Sequence, residues 1–203
     1  MAQLYFRYGT MNSGKSMDLL KMAHNYEEQD KKVLLFSPAV DDRYGSGVVG
    51  SRVGLRKPAI RVEEHTDLLD IVRSEIPSCV LVDEAQFLKK DHVLQLSEIV
   101  DTLGISVFAY GLRADFQGQL FPGSRELLAL ADEIEEVRTV CWYCEKKAIM
   151  NMRLKNGMPV FEGEQIQIGG NESYLPVCRR CYSARKKLLL RDSHPEGNPA
   201  GLR

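Results

Sequence analysis

Residues 9–16 read Gly9-Thr10-Met11-Asn12-Ser13-Gly14-Lys15-Ser16 and match the pattern G-x-x-x-x-G-K-[ST] at every fixed position. The apolar run Leu4–Tyr8 precedes this stretch, and Met17–Tyr26 follows it with the pattern of a helix. Between a strand and a helix, such glycines let backbone amides surround phosphate groups, and the helix N-terminus adds partial positive charge. The stretch therefore predicts a phosphate-binding loop, in which Lys15 reaches the β- and γ-phosphates of ATP and Ser16 binds Mg²⁺.

Short apolar runs continue to alternate with helical patterns up to about residue 135. Further strands are predicted at Val33–Phe36, Cys79–Asp83 and Val107–Tyr110, and helices at Leu68–Ser74, along Val93–Leu103, and from an N-cap at Ser124 through Ala131. This alternation predicts an α/β fold of the P-loop type, a parallel sheet with helices on both faces. The segment from Arg43 to Arg61 is rich in Gly, Arg and Ser without a sustained period, so we expect a long loop there.

A second acidic element supports the phosphate site. Val80–Asp83 predicts a buried strand ending in a carboxylate, the position from which P-loop enzymes hold Mg²⁺. Strand alternation would turn the next residue, Glu84, away from Asp83, but the chain can turn where a strand ends, so both carboxylates can face the phosphates. A carboxylate there can accept a proton from an attacking hydroxyl or from water. These residues alone leave a kinase and an ATPase equally open.

Four of the five cysteines form two C-x-x-C pairs, Cys141/Cys144 and Cys178/Cys181, separated by 33 residues. Four thiolates suit one closed tetrahedral Zn²⁺ site of structural type. The alternative is a pair of redox dithiols, which we consider the weaker reading because paired C-x-x-C spacings in a cytosolic protein favour metal. The fifth, Cys79, lies in an apolar run and is expected to be buried.

Composition excludes several classes of protein. The net charge of −1 gives no basic surface for nucleic acid, and no apolar stretch approaches the ~18 residues of a membrane span. The first residues carry too short an apolar run for a signal peptide. The sequence therefore predicts a cytoplasmic protein that binds neither nucleic acid nor a membrane.

A family resemblance extends these predictions. From residue 4 to about residue 185 the chain contains, in order, YGTMNSGKS, DDRYG, VLVDEAQF, GLRADFQGQLF, a C-x-x-C pair, IGGNESY and VCRRCY. In these motifs it resembles the thymidine kinases of the zinc-containing bacterial type. The resemblance implies a P-loop α/β domain over residues 1–140 and a small zinc domain over 141–190, whose long loop, the lasso, closes over the nucleoside. The Pro/Gly-rich tail, 191–203, is expected to be disordered.

The same resemblance implies roles for single residues. Glu84 matches the base that takes the proton from the 5′-hydroxyl of thymidine or deoxyuridine, in a reaction that uses ATP, Mg²⁺ and a structural Zn²⁺. The expected ATP-binding residues are Gly9, Thr10, Met11, Asn12, Ser13, Gly14, Lys15, Ser16, Asp42, Arg43, Asp83 and Gln86. The expected residues around the nucleoside are Met11, Phe87, Leu112, Phe116, Phe121, Gln165, Ile166, Gln167, Ile168, Gly169, Gly170 and Tyr174. Metal ligands are expected at Cys141, Cys144, Cys178 and Cys181 for Zn²⁺, and at Ser16 and Asp83 for Mg²⁺.

Several of these residues also have a purely structural interpretation, and the whole chain has competing functional ones. Leu112, Phe116 and Phe121 could be ordinary core residues, and Tyr174 could pack beside the zinc site. For the whole chain, Asp83-Glu84-Ala85-Gln86 also resembles a helicase box, so a nucleic-acid-stimulated ATPase is the main competing hypothesis. A zinc-ribbon binding module with a vestigial nucleotide fold is a third. The resemblance further implies a homotetramer that is inhibited by deoxythymidine triphosphate.

Overall fold

The computed structural model describes residues 1–40, 45, 47–165 and 174–193, with the backbone alone for 190–193. Its centre is a six-stranded sheet in the order β5-β2-β6-β7-β1-β8, in which every neighbouring pair is parallel. The strands of this sheet are β1 Leu4–Tyr8, β2 Val33–Pro38, β5 Ile60–Val62, β6 Cys79–Val82, β7 Ser106–Gly111 and β8 Glu133–Glu136. The order confirms the predicted parallel α/β sheet.

Helices cover both faces of the sheet. They are α1 Lys15–Glu27, α2 Leu68–Glu75, α3 Lys90–Leu103 and α4 Pro122–Leu130, with a short 3₁₀ turn at Ala85–Phe87. Successive strand side chains point to opposite faces, and strand β6 shows the consequence. Val80 and Val82 belong to the buried cluster that includes residues of α2, α3 and α4, whereas Cys79 and Leu81 belong to the cluster that includes residues of α1. The strand is buried throughout, as its unbroken apolar run predicts.

The expected long loop from Arg43 to Arg61 is wrong in part, because three short strands interrupt it. Strand β3, Val48–Gly50, pairs antiparallel with β4, Arg56–Pro58, and β5 adds a parallel edge strand to β2. Val49 is buried in the cluster that contains α1. Strands of three residues are too short to show a period of two, so partner strands and not local pattern determine them. Residues 41–44 and 46 lie outside the described part of the chain.

Helix α4 does not begin at Ser124. It begins at Pro122, and Ser124 lies inside its first turn, fully buried, where its hydroxyl donates to the Leu112 carbonyl at 2.5 Å. Proline is favoured at the first helical position because its fixed φ suits the helix and its missing N–H is not needed there. The N-cap prediction is wrong because the Ser124 hydroxyl bonds to the carbonyl of Leu112, 12 residues earlier, and the local sequence does not indicate this contact.

A second, smaller sheet follows residue 140. Its order is β10-β9-β11, with β9 Met150–Lys155, β10 Met158–Val160 and β11 Tyr174–Val177 all antiparallel. It packs on its own cluster, which includes Met152, Val177 and Tyr182. Helix α5, Arg179–Ser193, runs three residues past the expected boundary at 190, and residues 194–203 lie outside the described chain. None of the helices described is both long and apolar enough to cross a membrane.

Candidate active site

The loop from Gly9 to Ser16 joins β1 to α1 at the carboxyl edge of the sheet. The Gly9 N–H donates to the carbonyl of Gly111, at the end of the neighbouring strand β7. A Cβ at Gly9 would lie 2.5 Å from the carbonyl oxygen of Val137, so no larger residue fits. Asn12 and Gly14 adopt positive φ values of 65° and 89°, which curl the loop ahead of the helix. This is the strand–loop–helix context that the motif predicted.

Three side chains of the loop carry buried polar groups. Lys15 is buried, and its ammonium group donates to the Thr10 carbonyl at 2.8 Å. Within the described residues, the buried hydroxyls of Thr10 and Ser13 have no hydrogen-bond partner. Leaving such groups unpaired is unfavourable, so they are suited to bind a ligand. The oxygens of a phosphate would satisfy both hydroxyls and would attract the Lys15 ammonium group.

Asp83 directly follows strand β6 and reaches the start of α1. Its Oδ2 accepts a hydrogen bond from the Ser16 hydroxyl at 2.9 Å, while its buried Oδ1 has no partner among the residues described. Burial first, and the neighbouring Glu84 carboxylate second, raise the pKa of Asp83. A hydroxyl beside a carboxylate with a spare oxygen suits Mg²⁺, a hard cation that prefers oxygen ligands. A bound cation would also offset the two effects that raise this pKa.

Ser37 was not predicted. It lies on β2 one residue beyond the pair Phe36–Val82, and the Asp83 N–H donates to the Phe36 carbonyl at 3.0 Å. The Ser37 hydroxyl is buried and, like Asp83 Oδ1, finds no partner within the described chain. A serine inside an apolar strand carries no spacing signal, so only the pairing of β2 with β6 brings it to this edge.

Glu84 lies where the chain leaves the strand. It adopts a left-handed conformation with φ 47° and ψ 38°, the turn that the sequence allowed. Its carboxylate accepts a hydrogen bond of 2.5 Å from the side-chain amide of Gln86, whose Oε1 accepts from the Leu112 N–H at 2.9 Å. Gln86 is fully buried. The structure thus places Gln86, grouped by the resemblance with the ATP-binding residues, against Glu84 and the end of β7.

Two glycines leave the room that this arrangement needs. A Cβ at Gly111 would lie 2.7 Å from Gln86 Oε1, and a Cβ at Gly123 would lie 2.4 Å from the Ala85 carbonyl oxygen. Real Cβ atoms do not approach other heavy atoms so closely, because interiors are close-packed. The end of β7 and the first turn of α4 therefore press directly on the segment that carries Glu84.

Aromatic side chains lie beside this segment. Phe87 and Phe121 pack edge to face with ring centroids 5.7 Å apart, and Phe121 and Phe116 are both buried. Leu112 and Met11 are half-buried. Flat apolar rings next to a few polar groups are typical of a pocket for a planar ligand. Two of the residues predicted around the nucleoside base, Phe87 and Phe121, are therefore in direct ring contact.

Arg153 was missed by the sequence and connects several predicted residues. Its guanidinium is buried, donates to the Tyr174 hydroxyl at 2.9 Å, and lies 3.8 Å from the centre of the Phe116 ring. It also donates to the carbonyls of Glu164 and Gln165 at 2.7 and 3.1 Å. Polar side chains two apart in a short strand usually indicate a solvent face, so the local sequence gives no sign of this burial.

Asp115 completes this side of the site and was also missed. One carboxylate oxygen accepts from the backbone N–H groups of Gln117 and Gln119, and the other accepts from the Gln165 side chain at 3.0 Å. Its position inside GLRADFQGQLF, between Leu112 and Phe116, was the available signal. Ile166, Gln167, Ile168, Gly169 and Gly170, like Asp42 and Arg43, lie outside the described residues.

The four paired cysteines converge in space. Their sulfur atoms all lie within 4.8 Å of one another, and Cys144 Sγ is 3.7 Å from both Cys178 Sγ and Cys181 Sγ. Tetrahedral Zn–S bonds of about 2.3 Å require sulfur atoms about 3.8 Å apart, which matches these distances. Cys79 lies elsewhere, buried in the main sheet as expected. The donor set therefore fits the predicted structural zinc site.

The pKa values of Cys141 and Cys181 suit a cation at this place. Burial disfavours the Cys141 thiolate, but backbone N–H groups around it outweigh burial and lower its pKa to about 6. Burial and the neighbouring thiols raise the pKa of Cys181 to about 12. One thiolate forms readily and then opposes the next, so a full set of four requires a compensating cation.

Comparison with known proteins identifies the family. The sequence profile described as thymidine kinase matches residues 2–182. The chain is 57% identical over 190 residues to a thymidine kinase of Lactiplantibacillus plantarum, covering 93% of this chain and 99% of that protein. It is 56% identical to a thymidine kinase of Lactococcus lactis and 55% identical to one of Streptococcus gordonii, in both cases over 90% of this chain and at least 96% of the relative. With this match, and with the phosphate-loop motif beside a cluster of aromatic side chains, the chain belongs to the thymidine kinase family.

Proposed function

We propose that the chain transfers the γ-phosphate of ATP to the 5′-hydroxyl of thymidine or deoxyuridine. The observation that carries this proposal is the hydrogen bond between Ser16 and Asp83, immediately beside a Glu84 carboxylate held by Gln86. It brings a phosphate loop and a candidate base to one edge of the sheet. The family match names the acceptor class.

The phosphate groups of ATP would lie in the loop 9–16. Lys15, which now donates to the Thr10 carbonyl, would turn to the β- and γ-phosphates, where its charge is better compensated. Ser16 and Asp83 would hold Mg²⁺, which supplies neutralisation of the phosphate charge. The unpaired hydroxyls of Thr10 and Ser13 support this placement, since both need acceptors or donors that the described protein does not provide.

Glu84 would act as the general base. In the step, the 5′-oxygen forms a bond to the γ-phosphorus, the bond from that phosphorus to the β-phosphate oxygen breaks, and ADP leaves. The proton of the 5′-hydroxyl goes to the Glu84 carboxylate. Gln86 would act as a positioning residue. Its side-chain N–H donates to the Glu84 carboxylate, and its side-chain oxygen accepts a hydrogen bond from the Leu112 N–H, which fixes the amide in place.

The nucleoside base would occupy the space near Phe87, Phe116 and Phe121. Stacking on flat rings suits a pyrimidine, and polar groups at the rim would fix its orientation. Among the described residues, Gln165 and Tyr174 are the candidates for these polar groups. The Gln165 side chain is hydrogen-bonded to Asp115, and the Tyr174 hydroxyl to Arg153. The role of residues 166–170 rests on the resemblance alone.

Zinc in the four-cysteine cluster would have a structural role. A closed site with four protein ligands leaves no open position for a substrate. Cys141 and Cys144 precede β9, whereas Cys178 and Cys181 follow β11, so a bound ion would join the two ends of the small sheet. That sheet carries Arg153 and Tyr174, and the metal would therefore stabilise the nucleoside side of the site.

One assay tests the activity. ATP turnover is measured with thymidine, with single-stranded DNA and with neither, using Lys15→Ala as the inactive control. We expect turnover with thymidine together with formation of thymidine monophosphate. Turnover that rises with DNA and ignores thymidine would instead establish the nucleic-acid-stimulated ATPase, for which the helicase-like Asp83–Gln86 segment is the one supporting observation.

The resemblance also leads us to predict an oligomeric state and an inhibitor. We expect a homotetramer, measured by light scattering of the purified protein. We also expect the end product, deoxythymidine triphosphate, to inhibit the reaction, measured as a fall in turnover when it is added.

A further inference from the structure

Strand β9 of the small module reaches into the large one. Met152, in the middle of the strand, is buried in the core of the small sheet. Asn151 and Arg153 flank it and, by strand alternation, point to the opposite side. Both are almost fully buried, with 4% and 5% of their surface exposed. Buried polar side chains need partners, and those of these two residues lie in the nucleotide-binding domain and around the nucleoside pocket.

Asn151 binds the phosphate loop directly. The Met11 N–H donates to Asn151 Oδ1 at 2.8 Å, and the Asn151 side-chain amide donates to the Ala114 carbonyl at 3.4 Å. Met11 belongs to the phosphate loop, whereas Ala114 belongs to the segment that continues to Phe116. A single amide from the small module therefore joins the two parts of the large domain that face ATP and the nucleoside.

Arg153 makes the equivalent connection at the nucleoside end. Its three donor nitrogens are directed to the Tyr174 hydroxyl and to the carbonyls of Glu164 and Gln165, and its plane lies over the Phe116 ring. Arginine suits this task because its planar guanidinium donates in several fixed directions at once. Phe116, Gln165 and Tyr174, all expected around the nucleoside, thus contact one side chain.

We propose that Asn151 and Arg153 are positioning residues that couple the nucleoside site to the phosphate loop, so that each substrate raises the affinity for the other. The proposal rests on the proposed function. The two residues are separated by one position on a strand that is hydrogen-bonded on both sides, to β10 and to β11. A nucleoside that fixes the partners of Arg153 restrains β9 further, and through Asn151 it restrains the Met11 amide. The second ligand then binds a loop whose remaining freedom is already reduced, which lowers the entropy cost of its binding.

Binding measured without turnover tests this coupling. The dissociation constant of a non-hydrolysable ATP analogue is determined by calorimetry with and without saturating thymidine, in the presence of Mg²⁺. For the unmodified protein we expect thymidine to tighten the analogue by about fivefold or more, and the analogue to tighten thymidine by the same factor, as linkage requires. In Asn151→Ala and in Arg153→Lys we expect this factor to fall to about 1.

Arg153→Lys keeps the charge but cannot donate to three separate oxygens, so it loosens the contacts with little risk to folding. Lys155→Ala, at an exposed position of the same strand, is the matched control and should retain the full factor. Zinc content and melting temperature establish that each variant is folded. In steady-state assays, KM for both substrates should rise in the two variants while kcat at saturation stays close to that of the unmodified protein.

The outcomes separate this inference from the proposed function. If the unmodified protein binds both ligands but neither changes the affinity for the other, or if both variants keep the full factor, the coupling role is overturned and the kinase assignment stands. If the unmodified protein does not bind thymidine at all, the proposed function itself fails.

Discussion

The phosphate loop takes eight consecutive residues, Gly9–Ser16, whereas the surroundings of the aromatic pocket come from separate segments around Phe87, Phe116, Arg153 and Tyr174. In a loop of this kind, backbone amides and a helix N-terminus can bind phosphate, so a short motif is sufficient. In the pocket, side chains from distant strands hold one another through buried contacts. Local motifs thus build the phosphate side, and long-range packing builds the nucleoside side. Substitutions on the two sides should accordingly fail in different ways.

The largest effect is expected on the phosphate side. Glu84→Gln removes the proton acceptor but keeps the shape, so kcat should fall by about 10²- to 10⁴-fold, the usual contribution of general base catalysis. The dissociation constants of ATP and thymidine should change little. Single-turnover kinetics and calorimetry measure the two quantities, and Glu98→Gln, at an exposed position on α3, is the control. An unchanged kcat would remove Glu84 from the role of base.

The next prediction concerns Gln86, which connects Glu84 to the Leu112 N–H at the end of β7. Gln86→Met keeps the volume but removes the amide that holds Glu84 and leaves the Leu112 N–H without its acceptor. We expect kcat to fall by about 10-fold, corresponding to 1.4 kcal/mol of transition-state stabilisation, with KM for ATP nearly constant. The free energy of unfolding should fall by about 1–3 kcal/mol from the unsatisfied buried group. Gln29→Met, on the exposed surface after α1, should alter neither quantity.

An effect of similar size on catalysis is expected from loss of the metal, and it should fall mainly on the nucleoside side. Cys178→Ser should lower the zinc content from about one ion per chain and raise KM for thymidine about tenfold, a loss of about 1.4 kcal/mol of binding. KM for ATP should change less, because the loop 9–16 lies in the large domain and the small module contacts it through Asn151 at the Met11 N–H. Metal analysis and steady-state kinetics measure these effects. Cys79→Ala removes a buried thiol that is not in the cluster and should keep the zinc; absence of zinc from the folded unmodified protein would contradict the assignment.

The smallest effect concerns packing alone. Ser124→Ala removes the buried hydrogen bond to the Leu112 carbonyl and should lower the free energy of unfolding by about 1 kcal/mol. Ser97→Ala removes a similar bond to the Leu94 carbonyl on the exposed face of α3, where water can replace it. Urea denaturation of both variants makes the comparison. Equal losses would show that burial adds nothing to the Ser124 bond.

Sequence patterns predicted most of the fold and the phosphate side of the site. Strands β1, β2, β6 and β7 and helices α1 to α3 were predicted to within a few residues, because long apolar runs and helical periods arise from burial itself. The short strands between residues 48 and 62 and the true start of α4 were not predicted. In these places the deciding partner, a neighbouring strand or the Leu112 carbonyl, lies outside the segment whose own pattern was used for the prediction.

The residues of the candidate site also fall into two groups, those predicted from local spacing and those fixed by long-range contacts. Lys15, Ser16, Asp83 and Glu84 were predicted because their spacing follows from the way a loop or a strand end meets phosphate. Ser37, Asn151 and Arg153 were not, since a polar residue in a strand has the same appearance whether it faces water or a buried partner. The Gln86 contact with Glu84 could not be predicted either, as it depends on the close approach of β7 and α4.

The sequence by itself determined the phosphate-loop motif, the acidic strand end and the two C-x-x-C pairs, because each depends on residue types at short, fixed spacings. The tertiary structure alone decided that Gln86 holds Glu84, that Arg153 stands behind Phe116 and Tyr174, and that Asn151 reaches Met11 from the small module. These contacts join residues up to 140 positions apart. Their existence depends on burial, which removes water as a competing partner and leaves each polar group to find its partner across the fold.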